Sequence, residues 1–360
     1  PELKASTRAP HPSLGAAATA TGVMAGDASK ANEAFNSGDF EGALGGYEEL
    51  IAGRRDVAAK AEASGTALEG VDPLELAPLL SNKGAALERL GRIDDACAAY
   101  REAIEANPAY SQAHHNLAVA LKAAGKPDDA LAAFDAALEC DPAFLAAMRG
   151  KTEVLTAMDR LEDALSNASA VVEAHPDSTA AHTDRGYLLL AKMSRPADAI
   201  DDYQWAVDHG ADEGNDDKPT AKALGVALSN AAVGKEKEGD MAGAVALLDR
   251  AIAIAPTATR HFNRGTVLMK TDDKAAAIAA FGEAAALAPD MFQAHYARGL
   301  LALEGKDEEG NLDIAVEALE AAIAVDATNA EAIYNAGFAR MQRGEKAEAR
   351  AHFERALEVT

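Results

Sequence analysis

Along most of the chain, apolar and small residues return every three or four positions, with polar residues between them. Ala96, Tyr100 and Ala103 stand in this spacing, and Pro108 follows. The set recurs as Ala130, Phe134, Ala137 and Pro142, and again as Ala277, Phe281, Ala284 and Pro289. Looser copies are Ala164, Ala168, Val171 and Pro176, then Ala244, Leu248, Ala251 and Pro256. Three further copies lack the proline: Ala199, Tyr203 and Ala206; Ala315, Leu319 and Ala322; Ala349, Phe353 and Ala356. Spacings of four and three place each set on one face of a helix. Alanine lets neighbouring helices approach, the larger residue fills the space that remains, and proline after the last turn stops the helix. Pro108, Pro142 and Pro176 are 34 residues apart, and Pro256 and Pro289 are 33 apart. A fixed period of that length predicts an array of helix-turn-helix units.

Each of these helices, called B, is preceded by a helix A with its own mark. Twelve residues before the first helix-B alanine stand Gly84, Ala118, Thr152, Ala232, Gly265 and Gly337; Gly186 and Gly299 take the same place ahead of longer inter-helix loops. Glycine inside a helix costs about 1 kcal/mol relative to alanine, so a close helix contact is expected there. Gly38, Gly91, Gly125, Gly239 and Gly344 are read as turn residues between A and B. With these marks in place, the pattern resembles the tetratricopeptide repeat family. The resemblance implies an all-α, right-handed α-solenoid superhelix of about nine repeats, from about Met24 to Thr360. The family's large aromatic at the fourth position is mostly replaced, by Leu80, His114, Met148, His182 and His295.

Three insertions break the register and are read as exposed loops. They are residues 54–76, where Asp72-Pro73 reads as a helix start, the acidic stretch 208–219, and residues 304–313. The expected organisation is a flexible or transit-like segment 1–23, five units over 24–207, an acidic linker over 208–219, and four units over 220–360.

Composition narrows the function classes. Fifty-eight acidic against 34 basic residues give a net charge of −24, which repels nucleic-acid phosphates and anionic lipid heads. No basic cluster with interleaved aromatics occurs, so nucleic acid is excluded as a partner. The charge leaves basic, cationic or neutral protein partners open, or serves solubility alone. No apolar run approaches the roughly 18 residues of a membrane-spanning helix, so no membrane insertion is expected. Cys97 and Cys140 lack metal or disulfide spacing and read as two buried, reduced thiols, which favours a soluble, reducing compartment. Residues 1–26 contain one acidic residue, Glu2, among Ala, Ser, Thr and Pro, and read equally as the remainder of an organellar transit segment or as a plain tail.

Candidate chemistry is sparse. Histidines recur at nearly equivalent places, His114, His182, His261 and His295, but successive helices about 10 Å apart cannot share one zinc ion. There is no glycine-flanked serine elbow and no phosphate-binding glycine loop, so neither catalysis nor a cofactor is expected. The informative row is Asn82, Asn116, Asn230, Asn263 and Asn335, each two residues before the small helix-A position. The resemblance places this row on the concave face. There it is similar to the asparagine ladder with which the O-linked N-acetylglucosamine transferase superhelix holds an extended peptide. An amide side chain can pair with a peptide backbone of any sequence. Gly150, Asp184 and Ala297 interrupt the row. Phe262, Tyr296, Tyr334 and Phe338 are the expected side-chain anchors, clustered on the same face of the C-terminal units. The basic clamp of cochaperones that hold acidic tails is incomplete, because Pro78, Ala146 and Gly150 stand at its basic positions. Leu357 and Val359 are expected to be partly bare at the end of the stack. The reading is a non-catalytic scaffold that holds an extended segment of a protein partner in its groove. Its alternative is an assembly subunit of a large, organellar or other, multiprotein complex, contacted through loops and ends.

Overall fold

The computed structural model describes residues 25–64, 75–271, 273–305 and 310–359. The segment 1–23 and Asp72-Pro73 lie outside the described residues. Eighteen α-helices and no strand occur among the described residues, and the chain divides into two compact units, Pro1–Arg160 and Leu161–Thr360. The first unit holds α1 (Ala25–Ser37), α2 (Phe40–Ser64), α3 (Leu76–Arg89), α4 (Ile93–Ala106), α5 (Ser111–Ala123), α6 (Pro127–Cys140) and α7 (Leu145–Ala157). The second begins with α8 (Leu161–Ala174), α9 (Thr179–Tyr187), α10 (Pro196–Asp208), α11 (Pro219–Lys237) and α12 (Met241–Ile254). It continues with α13 (Ala258–Leu268), α14 (Lys274–Leu287), α15 (Phe292–Glu304), α16 (Asn311–Val325), α17 (Ala330–Gln342) and α18 (Lys346–Glu358). Within each unit, successive helices pack side by side as an α-solenoid of helix pairs.

The repeat marks explain the packing. The helix-B sets are buried: Ala96, Ala103, Ala130, Phe134, Ala137, Ala277, Phe281 and Ala284 are 0% exposed, and Tyr100 is 1%. Their large member fills the space opposite the small residue of helix A. A Cβ on Gly84 would lie 2.5 Å from the Tyr100 ring, and one on Gly265 would lie 2.7 Å from the Phe281 ring. At Gly299 it would lie 2.6 Å from Leu319. The glycines are therefore packing residues, and the cost of each in helix propensity is offset by the buried side chain it admits.

The turns and stops follow the sequence as well. Gly38, Gly91, Gly125, Gly239 and Gly344 adopt left-handed φ values of 72–89° between helices A and B. Helices α4, α6, α8, α12 and α14 each end two residues before the repeat proline.

Three expectations need correction. The extra residue between Gly186 and Ala199 does not lengthen a loop; it is absorbed as a π-turn, Leu188–Lys192, at the end of α9. A π-turn takes up one residue while keeping Leu188 and Leu189 buried at 2% and 4%. Residues 54–64 of the first insertion are not a loop but the continuation of α2. Ala, Arg and Lys favour helix there, and no glycine or proline occurs before Gly65. Cys97 is buried, whereas Cys140 is exposed, because it closes α6 beyond that helix's packed face.

The acidic stretch 208–219 is folded back by its own first residues. Asp212 accepts hydrogen bonds from the backbone N–H groups of Thr220 (3.0 Å) and Ala221 (2.7 Å), at the start of α11. A carboxylate there also faces the positive end of the helix dipole.

A candidate peptide groove at α15, α17 and α18

The last helices of the second unit enclose an open groove of about 900 Å³. Helix α15 contributes Tyr296 and Leu300, α17 contributes Glu331, Tyr334, Asn335, Phe338 and Met341, and α18 contributes Phe353, Ala356 and Leu357. Tyr334, Phe338 and Met341 stand at i, i+4 and i+7, so one stripe of α17 forms the floor. Among the described residues, none lies on this face of α18. One repeat earlier, Leu319 and Ile323 are 0% and 5% exposed beneath α17. At the corresponding places in α18, Phe353 is half-buried and Leu357 is 81% exposed. Val359 is 38% exposed beyond it.

Polar side chains set the wall opposite. The Asn335 Nδ2 group donates to the Tyr296 hydroxyl (3.2 Å), and that hydroxyl donates to Glu331 Oε2 (3.2 Å). Burial, with Glu331 adding to it, holds the Tyr296 phenol above its ordinary range, so it stays a donor. Tyr296 also stacks on Phe292 with ring centroids 5.4 Å apart, and Tyr334 leans on Phe353 at 5.3 Å. The anchors are thus held in place before any ligand arrives.

Of the residues expected at a binding face, Tyr296, Tyr334, Asn335 and Phe338 are brought together in this groove. Phe262 lies elsewhere, tilted against Phe281 at 5.4 Å and packed on the core of α13–α14. The other asparagines differ among themselves. Asn116 Nδ2 donates to Ser81 Oγ of the preceding helix A (3.1 Å), and its Oδ1 accepts from Gln112 (2.9 Å). Asn116 and Asn335 are therefore both engaged by the neighbouring repeat. Asn82 and Asn263 are half-buried, and Asn230 is exposed between Val226 and Val233, which are 44% and 41% exposed. Sequence reasoning missed Leu300, Glu331, Met341 and Phe353 as groove residues. The i, i+4, i+7 row of α17 was the available signal for Met341; Glu331 is identified only by what surrounds it.

The histidines serve the repeat junctions. His114 and His295 each place Nε2 against the carbonyl of the repeat proline six residues earlier, at 2.9 and 3.0 Å. His182 does the same with Pro176 (3.2 Å), and its Nδ1 meets Asp202 Oδ1 at 2.8 Å. Asp202 is 3% exposed and also takes two hydrogen bonds from Arg185, both at 2.7 Å. A histidine–aspartate pair can activate a nucleophile, but here the far ring nitrogen is turned onto a backbone carbonyl and stacked beside Trp205 at 4.0 Å. Its arrangement is that of a structural pin between α9 and α10. Among the described residues, no three or more His, Cys, Asp or Glu side chains stand together as a metal site, and no helix is long and apolar enough to cross a membrane.

Comparisons with known proteins complete the picture. No curated protein matches the chain by sequence. Among solved structures, it is similar to a tetratricopeptide repeat protein from Parabacteroides merdae, at 16% identity over 76% of this chain and 96% of that one, with a TM-score of 0.41. It is also similar to YrrB, described as a TPR protein with an unusual peptide-binding site, at 22% identity over 59% of this chain and all of that one, with a TM-score of 0.39. MamA matches at 27% identity over 48% of this chain and 93% of that one, with a TM-score of 0.33. The tetratricopeptide repeat family model matches residues 82–143, 154–216, 262–310 and 307–358. Those stretches cover more than half of the sequence and coincide with the helix pairs and their buried marks, and the chain belongs to the tetratricopeptide repeat family.

Proposed function

We propose that this protein is a non-catalytic scaffold that holds a segment of a partner protein in the groove between α15, α17 and α18. The observation that carries this reading is the row Tyr334, Phe338 and Met341 of α17, open beside Phe353 and Leu357, whose counterparts one repeat earlier, Leu319 and Ile323, are buried. Tyr334 is 55% exposed and Met341 43%. Large side chains with a fixed orientation, grouped around a concavity, are the usual anchors of an interface. Stacked repeats present such surfaces along their length. Asn335 keeps its Oδ1 to accept a backbone N–H of the bound segment. A single asparagine at about 0.5–1.5 kcal/mol gives little affinity, so apolar contacts supply most of the binding.

The test replaces Tyr334 with a photo-crosslinking amino acid and irradiates the protein in extract. A second protein carries the same group at Val57, an exposed position on α2. Adducts from position 334 that are absent from position 57, and that are lost on adding Phe338→Ala, support the groove. Adducts equally abundant at both positions move binding to the loops and ends, as an assembly subunit requires.

A further inference from the structure

The groove lining carries a single charge. Glu331 is the only charged group among the described residues that line it. Its carboxylate is exposed and oriented by the Tyr296 hydroxyl, itself held by Asn335, and this leaves Oε1 directed by nothing. No cation meets Glu331 among the described residues. The arginines of this region are all engaged elsewhere. Arg298 pairs with Glu317, Arg340 with Glu320 and Glu345, and Arg350 with Glu354. Arg343 pairs with Asp313 and Glu345, and Arg355 donates to the Ala327 carbonyl. Glu331 is thus left without a cation beside the open aromatic floor.

We propose that the segment held in this groove carries a lysine or arginine close to a bulky apolar or aromatic side chain, with the cation on Glu331 and the apolar group on Tyr334, Phe338 and Met341. The proposal rests on the groove reading above and specifies its ligand. Charge complementarity supports it at two ranges. Locally, an oriented carboxylate forms a strong, charge-assisted hydrogen bond with an ammonium or guanidinium group. Over longer distances, the net charge of −24 draws a cationic segment toward the chain and repels an acidic one. An acidic tail would meet no Lys, Arg or His in the groove lining and would be placed against Glu331.

A library of random twelve-residue peptides displayed on phage, selected against the full chain, tests this. Binders are sorted by whether they lose affinity on Tyr334→Ala, a change at an exposed ring. The expected result is that Tyr334-dependent peptides are enriched in Lys or Arg within a few residues of Leu, Met, Phe, Tyr or Trp. Synthetic copies of these peptides should lose about tenfold in affinity on Glu331→Gln, as expected for loss of a charge-assisted hydrogen bond. Their binding should weaken with added salt for the native chain and less steeply for Glu331→Gln, with helicity unchanged by circular dichroism. Tyr334-dependent peptides without basic enrichment, bound equally well by Glu331→Gln, would overturn the proposal and leave the groove reading in place. If no selected peptide depends on Tyr334, the groove reading fails and this proposal fails with it.

Discussion

A methyl group added to Gly265 would lie 2.7 Å from a carbon of the Phe281 ring, which is itself 0% exposed and cannot swing aside. Gly265→Ala therefore sets about 1 kcal/mol gained in helix propensity against about 1–3 kcal/mol of overpacking, and the loss is larger. We expect denaturant unfolding to show net destabilisation of up to about 2 kcal/mol. Gly45 offers the contrast within α2, since a Cβ there meets nothing within 4 Å. Gly45→Ala should stabilise by up to about 1 kcal/mol. At this scale the sequence was informative, because spacing alone marked the small helix-A positions as places of close helix contact. Glu331 was not legible, because a surface glutamate is ordinary until its neighbours, and the absence of a cation beside it, are known.

Helix pairs are pinned as well as packed. Asp202, buried between α9 and α10, receives Arg185 twice and His182 once. Removing one partner of a buried charge pair leaves the other without compensation and typically costs about 3–5 kcal/mol. Asp202→Ala should lower the denaturation midpoint by that order, whereas Asp198→Ala, which breaks an exposed pair with Arg195, should change it by less than about 1 kcal/mol. The histidine recurrence was legible in the sequence, but its role was not. The bond from the ring to the proline carbonyl links the start of one helix to the stop before it, and spacing alone does not show that the two ends meet. The extra residue before Ala199 illustrates the same limit. An insertion of one residue fits a loop or a π-turn equally well in sequence, and burial of Leu188 and Leu189 selects the π-turn.

Across the molecule, both compact units bury tyrosines in the helix-B position. Burial pushes Tyr47 up to about 12, and pushes Tyr100 and Tyr203 up as well. An unfolded tyrosine loses its proton near pH 10, while these folded ones retain theirs. The unfolded state thus binds fewer protons above that pH, and stability must fall as pH rises. The contribution is complete below pH 10 and for Tyr47 is lost between about 10 and 12, on the order of 2 kcal/mol for this side chain. Absorbance at 295 nm should show these phenols ionising together with the loss of helical circular dichroism. Independent, reversible ionisation near pH 10 with full helicity would show that they are solvent-accessible.

The sequence by itself determined the class of fold, the period, the helix stops before the repeat prolines and the core face. These depend on local spacing: three-and-four periodicity, glycine where φ is positive, and proline after the last turn. Only the tertiary structure decided which expected anchors share a site. Tyr296, Tyr334, Asn335 and Phe338 converge because α15, α17 and α18 are laid side by side, while Phe262 turns onto the core of α13–α14. The same holds for Arg260, a buried arginine that donates to the carbonyls of Ala251 and Ala255 and fills the space beside Gly225. Repeat spacing fixes where a residue sits on its own helix; what it meets depends on the helix packed against it.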